Sequence, residues 1–139
     1  MTTFTEIGID ERLVEQLNKI NFTSPTEVQE VSIPLILEGK DVVVRAKTGT
    51  GKTGAFLIPV INKIWGTRGL KAIVLTPTRE LAKQVAEVAD KMGREAKLHV
   101  VTVYGGAGKI NFVKLFYQPF VYSYFCKCRH LKLSNIAAN

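Results

Sequence analysis

A short glycine-rich stretch between two apolar runs most strongly constrains how this chain can fold. Residues 46–53 read Ala-Lys-Thr-Gly-Thr-Gly-Lys-Thr, and they separate the apolar run 41–45 from the apolar run 54–58. A strand, a glycine turn, a lysine, a hydroxyl and a helix in this order are typical of a loop that wraps around phosphate. Gly49 and Gly51 would let the backbone turn tightly and point its N–H groups inward. The sequence therefore predicts a phosphate-binding loop.

The residues of this loop have different predicted roles. Lys52 can reach the outer phosphates of a nucleoside triphosphate, and the hydroxyl of Thr53 can be a ligand of Mg²⁺. The remaining positions would line the phosphates with their backbone: Ala46, Lys47, Thr48, Gly49, Thr50 and Gly51. Ala46 stands where the general pattern has glycine, so the match to the generic motif is imperfect. The alternative, a chance turn rich in glycine and threonine, is disfavoured by the flanking strand and helix.

Length and composition indicate one cytoplasmic globular domain. The chain has 139 residues, of which 46% are hydrophobic and 22% charged, unlike a disordered segment. We find no secretory signal at the start, and no apolar run approaches the roughly 20 residues needed to span a bilayer. Two cysteines close together, Cys126 and Cys128, do not make a disulfide framework. The segment from Cys126 to His130 contains three possible zinc ligands but lacks the distant second pair of ligands that zinc sites usually have. We therefore predict no zinc site there.

The net charge of +7 suggests a nucleic-acid partner, but the distribution of charge weakens this argument. All 12 acidic residues precede residue 96, whereas residues 107–139 contain five basic residues and no acid. Most of the excess positive charge therefore belongs to residues 107–139.

Hydrophobic periodicity up to residue 106 predicts alternating helices and strands. Predicted helices begin at Asp10, at a capping box in Ser24–Glu27, at Lys52 and at Thr78. In the capping box, Pro25 takes the first helical position. The first predicted helix buries one face made of Leu13, Val14, Leu17 and Ile20, and the last buries Leu81, Val85, Val88 and Met92. The predicted buried strands are Val42–Val44, Ala72–Leu75 and His99–Val103. This alternation predicts an α/β fold with a parallel, doubly wound sheet.

The composition changes after residue 106. Seven of the 12 aromatic residues lie in 107–139, and Phe120–Phe125 has strand propensity with low charge, which favours aggregation if it is exposed. We interpret residues 1–106 as one unit and residues 107–139 as an aromatic and basic tail foreign to it, produced by a frameshift, an unspliced intron or a gene-prediction error. A genuine aromatic-rich extension is the alternative.

An ordered set of segments resembles the N-terminal part of DEAD-box RNA helicases. Phe22–Gln29 precedes the loop, Pro77-Thr78-Arg79-Glu80-Leu81-Ala82 follows the second strand, and Gly105-Gly106 follows the third. The resemblance covers about residues 4–106. It implies a partial RecA-like P-loop NTPase domain, incomplete and built from a parallel sheet with flanking helices. It also implies ATP and Mg²⁺ as ligands and RNA as a partner.

The resemblance implies an adenine site and an RNA site. Gln29 would read adenine, since a carboxamide donates and accepts side by side, and Phe4 would cover the base. The plain alternatives are an exposed helix residue for Gln29 and a core anchor for Phe4. Pro77, Thr78, Arg79, Gly105 and Gly106 would contact the RNA backbone, which positions a strand without reading its sequence. For this RNA site the plain alternative is a capped helix start and a simple turn.

Hydrolysis requires a carboxylate on Mg²⁺ and a group that orients water. The family supplies these from an acidic motif downstream of the glycine pair, and no acidic residue follows Glu95 here. The second lobe that unwinding requires is also absent from this sequence. We therefore expect an ATP-binding fragment that is inactive alone, with a non-catalytic short form and a frameshifted product without function as alternatives. The sequence identifies no RNA target and no protein partner.

Overall fold

The computed structural model describes residues 2–67, 70–104 and 120–125, which form four helices and three strands. In chain order the elements are α1 (Glu11–Lys19), α2 (Glu27–Leu37), α3 (Lys52–Ile64), β1 (Leu70–Thr76), α4 (Arg79–Gly93), β2 (His99–Tyr104) and β3 (Phe120–Phe125).

Two helices begin where the sequence predicts, because a side-chain cap defines each start. The Asp10 carboxylate accepts a hydrogen bond from the backbone N–H of Arg12 and opens α1. The Thr78 hydroxyl accepts one from the N–H of Leu81 at 3.2 Å and opens α4. Such caps satisfy N–H groups that have no partner within the helix.

The predicted capping box of α2 is wrong by two residues. Thr26, not Ser24, is the N-cap, so Pro25 lies before the helix rather than in its first position. The side chain that reaches back to the cap is Gln29, whose Oε1 accepts from the N–H of Thr26 at 3.1 Å. The helix ends at Leu37, and Gly39 shortly after it has a φ of +84°, in the left-handed region that favours glycine.

The sheet is parallel, in the order β1-β3-β2. Two predicted strands are confirmed as β1 and β2, and the strand propensity of Phe120–Phe125 is confirmed as β3. The register of β3 places its last residue, Phe125, beside Thr76 of β1 and Tyr104 of β2. The prediction of a strand at Val42–Val44 is wrong: this segment pairs with no strand in the described part of the chain, and Val43 is 98% exposed.

The core lies between the helices and one face of the sheet. Leu13 and Leu17 of α1, Leu57 and Ile61 of α3 and Met92 of α4 are fully buried. Helix α4 buries Ala82 rather than the predicted Leu81.

The other face of the sheet is less covered than predicted. Ile73 and Leu75 of β1 are 51% and 72% exposed, whereas the sequence predicts a strand buried on both faces. Within residues 2–67, 70–104 and 120–125, helix α4 packs on the sheet from one side, and Ile73 and Leu75 alternate with residues that face it.

No helix in the described residues is long and apolar enough to cross a membrane. The cytoplasmic location stays a prediction.

Candidate nucleotide and RNA site

The glycine-rich loop ends where α3 begins, and a glycine is the N-cap residue of this helix. Gly51 is the N-cap of α3 with a φ of +86°, and Gly49 has a φ of +82°. No side chain caps the helix. Its first backbone N–H groups are therefore left for another acceptor, and a helix start of this kind attracts anions.

Two polar side chains of the loop, those of Lys52 and Thr50, donate hydrogen bonds to backbone carbonyls of the loop itself. The ammonium group of Lys52 donates to the carbonyl oxygen of Ala46 and, at 2.6 Å, to that of Lys47. The hydroxyl of Thr50 also donates to the Lys47 carbonyl, at 2.8 Å. Lys52 thus lies folded over the loop, where a cation would meet phosphate oxygens. Thr53 is half-buried in the first turn of α3.

The start of α2 is hydrogen-bonded to the loop. The hydroxyl of Thr26 donates to the Thr50 carbonyl at 3.0 Å, and Nε2 of Gln29 donates to the Gly51 carbonyl at 2.9 Å. The structure therefore brings Gln29 to the loop. Sequence reasoning did not identify Thr26 as a loop contact.

Close approach between α2 and α3 depends on two glycines. A Cβ atom on Gly51 would lie 2.7 Å from Nε2 of Gln29 and 2.9 Å from Oγ1 of Thr26. A Cβ atom on Gly54 would lie 2.6 Å from Nε2 of Gln29 and 3.3 Å from Cε1 of Phe22. The small residues at 51 and 54 were the sequence signal for this contact, because glycine often marks close packing.

The structure places both predicted base-contacting residues in the interior. Phe4 is 1% exposed and belongs to the core cluster with Ile9 and Leu13, the position that the core-anchor alternative describes. Gln29 is also 1% exposed, so the alternative of an exposed helix residue is wrong. Contact of either residue with adenine stays a prediction.

The predicted RNA-contact residues begin at the carboxyl end of β1. Pro77, Thr78 and Arg79 are exposed at the junction between β1 and α4. Thr76 donates its hydroxyl proton to the Thr78 carbonyl at 3.2 Å, and Thr78 caps α4. Gly105 and Gly106 lie outside the described residues, directly after β2. Because β1 and β2 both run parallel to β3, their last residues, Thr76 and Tyr104, lie at the same edge of the sheet.

Comparisons with known proteins identify the family. The pattern of the DEAD/DEAH box helicase family matches residues 26–122 of this chain, a range that includes the loop, α4 and the start of β3. The chain belongs to the DEAD/DEAH box helicase family. The match extends beyond Gly106 to Tyr122, while the predicted boundary between residues 106 and 107 stays a prediction.

Relatives of known sequence are several times longer than this DEAD-box chain. It is 42% identical over 104 residues to the DEAD-box ATP-dependent RNA helicase RhpA of two Helicobacter pylori strains. The aligned part covers 75% of this chain and 21% of the relative, so the chain spans about a fifth of the length of these proteins.

Solved DEAD-box structures show the same fold. A DEAD box protein from the hyperthermophile Methanococcus jannaschii matches 90% of this chain and 35% of its own, with a TM-score of 0.80 and 32% identity. The RNA-helicase Prp28 from Chaetomium thermophilum, bound to ADP, matches 90% of this chain and 32% of its own, with a TM-score of 0.76 and 30% identity. A hypothetical ATP-dependent RNA helicase from Sulfolobus tokodaii matches 83% of this chain and 34% of its own, with a TM-score of 0.70 and 42% identity. The fold is therefore a partial RecA-like α/β domain, as predicted.

Metal-ligating side chains form no cluster in the described part of this DEAD-box chain. In the part of the chain that the structure describes, no three His, Cys, Asp or Glu side chains gather into a metal-binding group. The segment from Cys126 to His130 lies outside the described residues. Asp10 has its pKa lowered to about 2, chiefly by hydrogen bonds from the side chain and backbone of Arg12, but it caps α1 rather than the loop helix. The side chains that the structure hydrogen-bonds to the loop are the ammonium group of Lys52, the hydroxyls of Thr50 and Thr26 and the carboxamide of Gln29.

Proposed function

We propose that this chain forms part of the ATP site of a DEAD-box RNA helicase and binds ATP with Mg²⁺ in the loop 46–53. The observation that carries the proposal is the start of α3. Gly49 and Gly51 adopt left-handed backbone conformations, and no side chain caps the helix. A triphosphate supplies the acceptors that the first N–H groups of α3 would otherwise find in water.

Lys52 and Thr53 would contribute the side-chain contacts to the phosphates. The ammonium group of Lys52 bonds to two loop carbonyls, and anionic phosphate oxygens are stronger acceptors for it than neutral carbonyls. Thr53, in the first turn of α3, would offer its hydroxyl oxygen to Mg²⁺. Mg²⁺ held there would offset the negative charge of the phosphates.

The base and the RNA would bind through residues that flank this loop. We infer that Gln29 reads adenine and that Phe4 supports the base from the core. Pro77, Thr78 and Arg79, together with Gly105 and Gly106, would contact RNA phosphates. The position of both segments after parallel strands that end at one edge supports this assignment, since ligands of open α/β sheets bind at that edge.

We further propose that these 139 residues, taken alone, bind ATP without hydrolysing it. No acidic residue follows Glu95 in the sequence, and hydrolysis in this fold needs a carboxylate near the metal. Hydrolysis and RNA unwinding would belong to a protein of the length of its relatives.

The test is titration of the purified chain with a fluorescent ATP analogue, with and without Mg²⁺. Lys52→Ala should weaken binding roughly tenfold to a hundredfold, as expected for the loss of about 1.5–3 kcal/mol from a charged hydrogen bond. Lys63→Ala is the matched control, because Lys63 lies on the same helix and also donates to a carbonyl, that of Ile36.

Two outcomes would contradict the proposal. Equal affinities for the Lys52 and Lys63 variants would exclude the loop as the triphosphate site. Steady release of phosphate by the unaltered chain, absent from Lys52→Ala, would contradict the claim that the chain binds without turnover.

A further inference from the structure

The carboxamide of Gln29 is hydrogen-bonded within the protein and hidden from solvent. Its Oε1 accepts from the N–H of Thr26 and its Nε2 donates to the carbonyl of Gly51. The side chain is 1% exposed. A primary amide has further donor and acceptor capacity beyond these two bonds, but a base in solution cannot reach it in this position. Reading adenine therefore requires the amide to move.

The inward position of this amide exists because Gly54 has no side chain. A Cβ atom on Gly54 would lie 2.6 Å from Nε2 of Gln29, closer than real Cβ atoms approach a nitrogen. Gly54 is an ordinary helical residue of α3 whose φ is not in the left-handed region, so an alanine there is not excluded by the backbone. The atom it would displace is the far end of a flexible side chain, and moving it is the easiest way to relieve the contact.

We propose that Gly54 is a specificity-determining residue of the nucleotide site. By admitting the amide of Gln29 between α2 and α3, it stabilises a state in which the adenine-reading group is bonded to the phosphate loop instead of a base. ATP selects the state in which this amide has moved outward, and the free energy of that movement reduces the preference for adenine. The inference rests on the proposed adenine role of Gln29.

Gly54→Ala tests the inference through base selectivity. The added methyl group disfavours the inward amide, so the ratio of the GTP dissociation constant to the ATP dissociation constant should rise by about threefold or more. Affinity for inorganic tripolyphosphate, which has no base, should change less than about twofold. A purely structural role for Gly54 would lower all three affinities together and leave the ratio unchanged.

Gly93→Ala is the matched control. Gly93 is also a helical glycine, and its Cβ atom would lie 2.6 Å from Cδ1 of Leu98, at the far end of α4. This variant should lower the free energy of unfolding and leave the ratio of GTP to ATP affinity unaltered. The double variant Gly54→Ala/Gln29→Ala should show no gain in selectivity, because the effect acts through Gln29.

The outcomes separate this inference from the proposed function. If Gln29→Ala lowers selectivity and Gly54→Ala leaves it unchanged, the inference is wrong and the adenine role stands. If Gln29→Ala leaves selectivity unchanged while tripolyphosphate still binds, the adenine role is wrong and the inference falls with it.

A measurement on the unaltered chain covers the case in which Gly54→Ala does not fold. The side-chain amide signals of Gln29 in a ¹⁵N nuclear magnetic resonance spectrum should shift with ATP and Mg²⁺, and not with tripolyphosphate and Mg²⁺. Signals that move equally with both ligands, or with neither, would overturn the proposal.

Discussion

Helices α3 and α4 begin at the two turns for which we propose phosphate contacts, and their first N–H groups are treated differently. Helix α4 follows β1 and is capped by its own hydroxyl, that of Thr78. Helix α3 follows the glycine loop, has Gly51 as its N-cap and receives no side-chain cap. At the start of α4 one N–H group already has a side-chain acceptor, whereas at the start of α3 the N-cap residue supplies none.

This difference predicts two kinds of phosphate contact. At α3 the backbone itself is available, so a phosphate can accept several N–H groups at once and benefits from the helix dipole. At α4 the hydroxyl of Thr78 already accepts the N–H of Leu81, so phosphate contact would depend more on the side chain of Arg79. We expect tight, localised phosphate binding at the start of α3 and weaker, salt-sensitive binding at the start of α4.

Replacement of Gly51 should give the largest effect on folding. Gly51→Ala places a Cβ atom at a φ of +86° and within 3.0 Å of both Gln29 and Thr26. The left-handed conformation alone costs about 1–2 kcal/mol, and the contact with α2 adds to it. We expect a loss of about 2 kcal/mol or more, measured by urea unfolding followed by circular dichroism.

Gly49→Ala is the control for this contact. Gly49 has a similar φ of +82°, but a Cβ atom there would meet nothing within 4 Å. Its variant should show the conformational cost only. Equal losses for the two variants would mean that α2 does not hold the loop.

Removal of the α4 cap should have a smaller effect. Thr78→Ala deletes the oxygen that accepts from Leu81, which typically costs about 1 kcal/mol. Thr78→Ser should restore most of the stability, since serine is an equally good cap. The same urea measurement checks both variants, and a fully stable Thr78→Ala would show that α4 does not rely on this hydroxyl.

Local signals predicted the helices well, and tertiary contacts explain most of the errors. Helices α3 and α4 lie where the pattern places them, because glycine turns and caps act within a few residues. The strand at Val42–Val44 failed since a strand needs a neighbour to pair with, and hydrophobicity alone cannot show whether one is present. Ile73 and Leu75 are exposed for a related reason: burial of a second sheet face depends on what covers it.

The site shows the same division between local and distant information. The loop 46–53 was recognisable because its glycines and Lys52 are adjacent in sequence. The bonds from Gln29 and Thr26 to the loop join residues more than 20 positions apart, so periodicity could not reveal them. The position of β3 between β1 and β2 was equally invisible in the composition, which predicted residues 107–139 as a separate tail.

The comparison of the two helix starts can be sharpened with RNA. Arg79→Gln should lower the slope of log affinity against log salt for single-stranded RNA by about 0.7, the value for one phosphate contact. Arg94→Gln is the matched control, because Arg94 carries the same charge at the opposite end of α4. Fluorescence anisotropy at several salt concentrations measures both slopes, and equal reductions would indicate diffuse attraction rather than a contact at Arg79.

The charged cap of α1 should give the smallest effect, and one that depends on pH. Hydrogen bonds from the side chain and backbone of Arg12 lower the pKa of Asp10 from 3.8 to about 2. Because the folded state lowers this pKa, the contribution of Asp10 to stability is complete above pH 4 and is lost as the pH falls toward 2. The cap is exposed, so solvent screening keeps the contribution small.

Asp10→Asn isolates this titration, since asparagine also caps helices but does not ionise. Urea midpoints measured between pH 5 and pH 2, an interval that covers both pKa values, should converge for the two proteins as Asp10 becomes protonated. The neutral cap of α4, Thr78, should contribute no such difference. A gap between the two proteins that stays constant over this range would show that the Asp10 carboxylate is not held by Arg12, and the charged cap would then resemble the neutral one.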